Sequence, residues 1–362
     1  MSQGERHTPW QADWLRSAQE RGALARGLWP VSMAYRALIA VRRALYAWQI
    51  LPSHRVDVPV IVIGNVVVGG AGKTPATLSL VKHLQGRGWR PGVISRGHGR
   101  RGDDVVHVEP DSEPWHSGDE PLLIRQRTGA PVCVARNRAE AARSLLAAHP
   151  EVNLLVCDDG MQHLALQRDL TVAVFDDRGV GNGWLLPAGL LREPWPLATG
   201  AAGRPDVVLR QGTAGTVASP LPAMDGVPVF HAVRRLSDMA IGPGGRSRTL
   251  ESLRGEPLTA VAGIARPEAF FDMLRERGLT LSRCIPLADH AGAAGYEEAL
   301  GGARHALICT EKDAVKLFPM KKPGQAPDVW AVPLELSPPP EFFAYVDAQL
   351  ARLSSRHGHQ TA

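Results

Sequence analysis

A lysine and a threonine stand side by side, as Lys73-Thr74, between a glycine-rich stretch and an amphipathic one. Glycines let backbone N–H groups close around phosphate oxygens, and the start of a helix adds partial positive charge. A lysine at that point neutralises the outer phosphates of a nucleotide, and a threonine hydroxyl can bind Mg²⁺. The pattern therefore predicts a phosphate-binding loop for ATP with Mg²⁺. Its residues are Gly69, Gly70, Ala71, Gly72, Lys73, Thr74 and Pro75.

The loop departs from the usual phosphate-loop pattern at one position, because Val67 stands where that pattern has its first glycine. The Gly-Gly-Ala-Gly-Lys-Thr core is similar to variant loops of dimeric membrane-associated ATPases, although their additional early lysine is Val68 here. A plain glycine-rich turn is the alternative interpretation. The apolar run 58–63 before the loop and the amphipathic stretch after it favour phosphate binding.

Two adjacent aspartates, Asp158 and Asp159, follow the apolar run 154–157. In a chain with a phosphate loop, an aspartate at the end of a buried strand is typical of magnesium binding. Taken alone, the Asp-Asp-Gly sequence would indicate a surface turn. Next to the loop it predicts that Thr74, Asp158 and Asp159 hold Mg²⁺.

Three other segments leave two interpretations open. Asp119 and Glu120 precede a proline and an apolar helix, which is typical of N-capping, with a chemical role as the alternative. The loop 181–194 is small and apolar, suited either to an apolar ligand or to simple packing. Asp289-His290 follows an apolar run, and a lone histidine is more often structural than catalytic.

The elements that would position these residues alternate between strands and helices from residue 58 to about 212. This alternation is typical of a parallel sheet covered on both faces, with ligands at the carboxyl ends of its strands. Apolar runs predict strands at 60–63, 92–95, 132–135, 154–157, 171–175 and 206–209, and helices at 75–85 and 138–149.

Beyond the Gly-, Ala-, Ser- and Pro-rich stretch 211–226, further apolar runs predict a second, smaller α/β domain. The predicted fold is therefore α/β, with a parallel-sheet core of the P-loop NTPase type and a smaller C-terminal lobe. Its expected segments are a basic amphipathic N-terminal segment (1–55), the core (56–222), the α/β lobe (223–350) and a frayed tail (351–362).

The 362 residues, 44% hydrophobic and 21% charged, have the composition of a soluble globular protein. The four cysteines lie far apart, which indicates a reducing compartment with neither a disulfide framework nor a zinc site. Residues 1–27 contain many charges and lack an apolar core segment, so we expect no cleavable signal peptide.

The formal net charge of +5 is confined to residues 1–55, which contain eight arginines and three acidic residues. A basic end on a neutral body indicates an anionic surface as partner, and no nucleic acid is expected. A helix predicted over 33–50 has an apolar face, but Arg36, Arg42 and Arg43 interrupt it too often for a membrane span. That face consists of Ala34, Leu38, Val41, Leu45 and Trp48.

Two placements of this helix are open. It would either lie on a membrane surface, with the three arginines at anionic headgroups, or pack on the core of its own protein. The charge asymmetry favours the membrane surface.

Taken together, these motifs resemble the tetraacyldisaccharide 4′-kinase family, the lipid A 4′-kinases of Gram-negative bacteria. One departure is Ala291, which stands where the family commonly has a second histidine. The matching segments, in family order, are Gly64-Asn65, 69–75, 95–97, 118–121, 158–163, 186–189, 191–194, 262–264, Asp289-His290 and 310–314.

The resemblance implies transfer of the γ-phosphate of ATP to the 4′-hydroxyl of an acylated glucosamine disaccharide 1-phosphate. The product would be lipid IVA, formed at the cytoplasmic face of the bacterial inner membrane by a peripheral, monotopic protein. The resemblance also implies catalytic roles: Lys73 at the β- and γ-phosphates, and Asp119 as base on the acceptor hydroxyl, coupled to His290.

Two rival functions use the same features. A membrane-associated ATPase of the partitioning or metal-delivery type would consume ATP without an acylated disaccharide. A nucleotide-gated membrane-binding protein would form no phosphorylated product.

Overall fold

The computed structural model describes residues 9–213, 219–321 and 327–357. Its larger sheet has nine strands in the order β15-β8-β7-β6-β1-β5-β2-β4-β3, all parallel except the edge strands β3 and β15. The strands are β1 (Val60–Gly64), β2 (Pro91–Ser95), β3 (Val106–Val108), β4 (Val132–Val134), β5 (Leu154–Asp158), β6 (Leu170–Phe175), β7 (Val207–Gly212), β8 (Val229–Leu236) and β15 (Leu334–Ser337).

Helices cover this sheet on both faces, as buried apolar strands require. One face packs against α3, α5 and α10, and the other against α6 and the loop 180–197. The helices of this part are α1 (Pro9–Glu20), α2 (Ala23–Ala47), α3 (Lys73–Gly86), α4 (Pro114–Ser117), α5 (Asp119–Thr128), α6 (Arg138–Ala148) and α10 (Pro340–His357).

A second sheet of six strands has the order β10-β9-β14-β13-β11-β12, with β14, β13, β11 and β12 parallel. The predicted α/β fold with a parallel sheet at its core is confirmed. The elements are β9 (Met239–Ile241), β10 (Ser247–Thr249), β11 (Pro257–Ala262), β12 (Thr280–Pro286), β13 (Leu307–Thr310), β14 (Val329–Val332), α7 (Pro267–Glu276), α8 (Ala293–Gly301) and α9 (Glu311–Met320). Short 3₁₀ turns lie at Pro243–Gly245 and Glu251–Leu253.

The two sheets divide the chain differently from the expected boundary between residues 222 and 223. Strand β8 pairs with β7 and β15 pairs with β8, so both belong to the larger sheet. The stretch 211–226 therefore connects two neighbouring strands of one sheet, and the chain leaves the core after β8 and returns at β15. The expected tail from 351 continues α10 as far as His357, and residues 358–362 lie outside the described residues.

The N-terminal helix is longer than expected and is shifted towards the N-terminus. Helix α2 begins at Ala23 and ends at Ala47, because Gln49 adopts a left-handed backbone with φ of 58°. One face packs on the protein: Ser32 Oγ donates to Leu185 O at 2.9 Å, and Tyr35 Oη donates to Arg192 O at 3.1 Å. Within the described ranges, no helix is both long and apolar enough to cross a membrane.

The opposite face of α2 is apolar and exposed. Leu38 is 68% exposed, Val41 57% and Trp48, which follows the last helical residue, 72%. These are three of the five residues of the predicted apolar face. One face of α2 therefore packs on the protein, as one of the two expected placements requires, and the other face lacks a cover among the described residues. The membrane placement stays a prediction.

Candidate active site

The predicted phosphate loop joins β1 to α3 at the carboxyl end of the central strands. Gly72 precedes the helix in a left-handed conformation, with φ of 69°, and a Cβ there would overlap the side-chain amide of Gln211. That amide donates to the carbonyl oxygen of Ala71, and Arg178 donates to the carbonyl oxygen of Gly70 at 3.2 Å. Two side chains at or just after the ends of the neighbouring strands β7 and β6 thus hydrogen-bond the backbone of the loop. Lys73, Thr74 and Pro75 form the first turn of α3, where the missing N–H of proline is not needed.

The aspartate pair lies directly beside this loop. Strands β1 and β5 pair in parallel with Ile63 opposite Asp158, so both strand ends meet at one edge. Oδ1 of Asp158 accepts from Thr77 Oγ1 at 2.7 Å, whereas Oδ2 is buried and has no hydrogen-bond partner among the described residues. Burial, with the nearby charge of Glu120, raises the pKa of Asp158 to about 7. A cation would stabilise the ionised form of this carboxyl group.

Asp159 contacts two basic side chains. Its Oδ1 lies 3.6 Å from Lys73 Nζ and its Oδ2 lies 3.6 Å from Arg192 Nη1. Burial alone would raise the pKa of Asp159, but the charges of Lys73 and Arg192 outweigh it and lower the pKa. The structure therefore brings Lys73, Asp158 and Asp159 together, as expected.

These residues fit a Mg²⁺ ion that arrives with ATP. Magnesium commonly takes one or two protein carboxylates and completes its shell with phosphate oxygens and water. The unbonded Oδ2 of Asp158 suits such a ligand. In the described part of the chain, no group of three or more histidine, cysteine or acidic residues is placed to hold a metal without phosphate. The hydroxyl that contacts Asp158 is that of Thr77 rather than Thr74, which is half-buried in the first turn.

Asp119 is the first residue of α5, and the N-cap Gly118 has no side chain to cap the helix. Oδ1 of Asp119 accepts from the backbone N–H of Glu120 in the first turn at 3.1 Å. The same Oδ1 lies 3.1 Å from Nδ1 of His290, and Oδ2 lies 3.0 Å from Nζ of Lys316. Burial alone would raise the pKa of Asp119, but the hydrogen bond from His290 and the charges of Lys312 and Lys316 hold it well below its ordinary value.

His290 reaches Asp119 from the loop that follows β12 of the second sheet. Its backbone is left-handed, with φ of 60°, and its ring packs edge-on against the ring of His98 at 4.7 Å between centroids. Nε2 of His290 lies 3.3 Å from Nζ of Lys312. The site therefore combines residues from the parts of the chain that form both sheets, although these residues lie far apart in the sequence.

Helix α9 joins the two parts. Lys312 contacts Glu120 of α5 at 3.2 Å. Glu311 forms an ion pair with Arg127, also of α5, at 2.5 Å. Asp313 faces inward, where its Oδ1 accepts from the hydroxyl of Tyr296 at 2.7 Å. Glu311 and Lys312 therefore hold α5, whereas Asp313 makes a contact within the second lobe.

The apolar loop 181–194 packs on the protein rather than lining an open surface. Ala188, Leu190 and Leu191 are buried, and the loop supports both N-terminal helices. Its Glu193 pairs with Arg43, whose side chain is largely buried. The expectation that Arg43 meets lipid headgroups is therefore wrong, because that guanidinium is used inside the protein.

Several residues of the site were missed by sequence reasoning. For two of them, Lys312 and Lys316, the sequence did contain a signal, because lysine is rare in this chain. These two lysines lie one turn apart on α9. The roles of Arg192, Gln211 and Thr77 depend on long-range packing, for which the sequence contains no local signal.

Comparisons with known proteins show which family the chain resembles. The family model described as tetraacyldisaccharide-1-P 4'-kinase (LpxK) matches residues 24–351. A tetraacyldisaccharide 4'-kinase of Acidovorax sp. (strain JS42) is 55% identical over 349 residues, covering 96% of this chain and 97% of the relative. One from Polaromonas naphthalenivorans is 51% identical over 354 residues, covering 96% and 98%.

The fold also matches a solved structure. The crystal structure of LpxK from Aquifex aeolicus, described as an apo form in complex with ATP, has a TM-score of 0.74 and 24% identity. The match covers 91% of this chain and 99% of that one, and it supports the fold alone. On the extent of the family match and the identity to these relatives, the chain belongs to the tetraacyldisaccharide-1-P 4'-kinase (LpxK) family.

Proposed function

We propose that this protein transfers the γ-phosphoryl group of ATP to the 4′-hydroxyl of a tetraacyldisaccharide 1-phosphate, forming lipid IVA in lipid A biosynthesis. One observation supports this most strongly. The predicted phosphate loop and its aspartate pair lie near a part-buried Asp119–His290 pair, and the charge of Glu120, next to Asp119, influences Asp158. A kinase requires a nucleotide site and, next to it, a group that can orient an acceptor hydroxyl and take its proton.

The nucleotide side of the reaction uses charge neutralisation. Backbone N–H groups of residues 69–74 would surround the β- and γ-phosphates, and Lys73 would neutralise their charge. Thr74, Asp158 and Asp159 would hold Mg²⁺, which supplies charge stabilisation to the transferring group when bound. Lys73 contacts Asp159 at 3.6 Å, so an incoming phosphate would compete with that carboxylate for the ammonium.

On the acceptor side, Asp119 would act more by orienting the acceptor hydroxyl than by being a strong base. Asp119 remains ionised, since its pKa is lowered, and both of its oxygens face donors. The new O–P bond forms as the bond to the β-phosphate oxygen breaks, and the hydroxyl proton passes to Asp119. Because phosphoryl transfer has a loose transition state, a weak base that is well placed is sufficient. His290 would hold that carboxylate in place.

The proposed location is the cytoplasmic face of the inner membrane, reached by a peripheral contact. The exposed face of α2 presents Leu38, Val41 and Trp48, an arrangement suited to the boundary between water and lipid. Arg36 is exposed and Arg42 is largely exposed, while Arg43 is not available. The amphipathic helix would therefore bind chiefly through apolar area, with a smaller electrostatic contribution.

The test is an assay with a matched acceptor. Purified protein is incubated with ATP and Mg²⁺, and either with tetraacyldisaccharide 1-phosphate or with its 4′-deoxy analogue. We expect the mass of one added phosphate on the first acceptor and none on the second. ATP consumption equal with both acceptors would favour the membrane-associated ATPase, and no phosphorylated product at all would favour a nucleotide-gated membrane binder.

A further inference from the structure

Lys312 lies at the centre of a small polar cluster that joins the two sheets. Its Nζ is 2.8 Å from Asp289 Oδ1, 3.2 Å from Glu120 Oε1 and 3.3 Å from His290 Nε2. The side chain is 13% exposed. Burial alone would lower the pKa of Lys312, but Glu120, Asp119 and Asp289 raise it above its ordinary value. The ammonium is therefore charged and is held by carboxylates on two sides.

An ammonium can donate hydrogen bonds but cannot accept them. In its contact with Lys312, Nε2 of His290 must therefore present a lone pair. A neutral imidazole has one protonated nitrogen, so the proton is on Nδ1. That atom is 3.1 Å from Oδ1 of Asp119, which is an acceptor. The contacts at both ends of the ring thus agree on one tautomer.

We propose that Lys312 is a positioning residue of the transfer site, which fixes His290 in the tautomer that donates to Asp119. The inference rests on the roles proposed above for Asp119 and His290. It adds a residue from α9 whose ammonium sets the direction of the hydrogen bond between them.

The surroundings of the ring explain why such a residue is needed. Two carboxylates face His290, since Asp289 Oδ1 lies 3.8 Å from Nε2 while Asp119 lies near Nδ1. Without the ammonium of Lys312 next to Nε2, the ring proton could move to Nε2 and point at Asp289. The lone pair of Nδ1 would then face the ionised Asp119, which is repulsive. The remaining charged or titratable neighbours are His98 against the ring, Glu120 at Lys312 and Lys316 at Asp119.

Substitution of Lys312 with nitrogen NMR as the readout tests this directly. The protein is labelled with ¹⁵N-histidine, and the ring signals of His290 are identified by their loss in His290→Asn. Long-range ¹H–¹⁵N spectra then report which ring nitrogen has the proton. Lys312→Met keeps the length of the side chain and removes the donor, and Lys312→Arg restores a charged donor. Lys321→Met, which removes the ion pair of Lys321 with Asp328, is the matched control in the same lobe.

We expect the wild type and Lys321→Met to show the proton on Nδ1, and Lys312→Met to show a substantial Nε2–H form. The kcat of Lys312→Met should fall about 100-fold, the cost of a misplaced catalytic group. Its KM for ATP should stay within about twofold of the wild type, since the phosphate loop is intact. Lys312→Arg should recover at least about tenfold of the lost kcat.

Three results would overturn the proposal: a wild-type ring protonated on Nε2, an unchanged tautomer in Lys312→Met, or wild-type kcat in that variant despite a changed tautomer. If Lys312→Met does not fold, Lys312→Gln takes its place. Its neutral amide can donate to Nε2 or accept from it, so it should admit an Nε2–H form, and a ring that stays entirely Nδ1–H there counts against the proposal. Failure of the roles of Asp119 and His290 would appear separately, as undiminished transfer in Asp119→Asn, while the spectra still report on Lys312.

Discussion

Nδ1 of His290 lies 3.1 Å from Oδ1 of Asp119, although 171 positions separate the two residues in the sequence. Asp119 begins helix α5, which packs on the nine-stranded sheet, and His290 follows strand β12 of the six-stranded sheet. The contact is part-buried, and its neighbours Lys312 and Lys316 both come from α9. The position of the second lobe therefore determines whether the acceptor side of the site is assembled.

Replacing Lys73 by alanine should remove most of the activity while leaving the fold intact. Lys73 is half-buried at the start of α3, and its ion-pair partner among the described residues is Asp159 at 3.6 Å. Loss of a positioned cation at a transferring phosphate typically lowers kcat by about 100-fold or more. Lys82→Ala, an exposed lysine on the same helix, is the control and should retain activity. Near wild-type phosphate transfer by a folded Lys73→Ala protein would refute the phosphate-loop assignment.

Asp158→Asn should be inactive and yet more stable than the wild type at neutral pH without Mg²⁺. The pKa of Asp158 in the folded protein, about 7, exceeds the ordinary 3.8. Between about pH 4 and pH 7 the folded protein therefore binds more protons than the unfolded chain. Stability must then fall as pH rises from about 4 to about 7, and asparagine removes this loss. The gain in the free energy of unfolding should be larger at pH 8 than at pH 5 by about 2.5 kcal/mol.

Chemical denaturation of both proteins at the two pH values measures this difference. Mg²⁺ with ATP should stabilise the wild type and have a much smaller effect on Asp158→Asn. If the wild type is the more stable protein at pH 8 without metal, the pKa of Asp158 is not raised by burial in the folded protein.

The exposed face of α2 should dominate membrane binding. Substituting Leu38, Val41 and Trp48 by serine should release the protein from anionic liposomes even at low salt, because the apolar area is lost. Substituting Arg36 and Arg42 by glutamine should cost on the order of 1 kcal/mol each, and this effect should vanish at high salt. Val233→Ser, at a 45% exposed apolar residue of β8, is the control.

Liposome co-sedimentation across a salt series separates the two contributions. ATP binding should persist in every variant, since the phosphate loop is not part of α2. A wild-type protein that stays in the supernatant with anionic liposomes at low salt would rule out the membrane contact.

The parallel strands were predictable because their residues are buried on both faces and therefore form continuous apolar runs. Strands β1 and β5 appear within one residue of their predicted ends, and the loop and the aspartate pair follow at the expected edge. These features could be predicted from residues that are close together in the sequence. The contact of Asp119 with His290 was available from the family resemblance, since no local pattern links residues so far apart.

Other features needed tertiary information. Strand β12 was missed because most of its residues are exposed or half-buried, so it lacks an apolar run. The assignment of β8 and β15 to the larger sheet depends on pairing across about a hundred residues, for which composition is no guide. Helix α9 did have a local signal: Thr310 caps it by accepting from the backbone N–H of Asp313, a spacing that the sequence shows.

The central claim, that Asp119 and His290 serve phosphate transfer to the acceptor, is tested most directly by single-turnover transfer with Asp119→Asn. With saturating ATP, Mg²⁺ and acceptor, we expect the transfer rate to fall about 100-fold or more, with a smaller fall for His290→Ala. The Kd for ATP should remain within about twofold of the wild type. Asp272→Asn, an exposed carboxylate of α7 paired with Arg275, should transfer phosphate normally. A wild-type transfer rate in Asp119→Asn, with only a lower Tm, would contradict the account and leave Asp119 as a structural partner of Lys316.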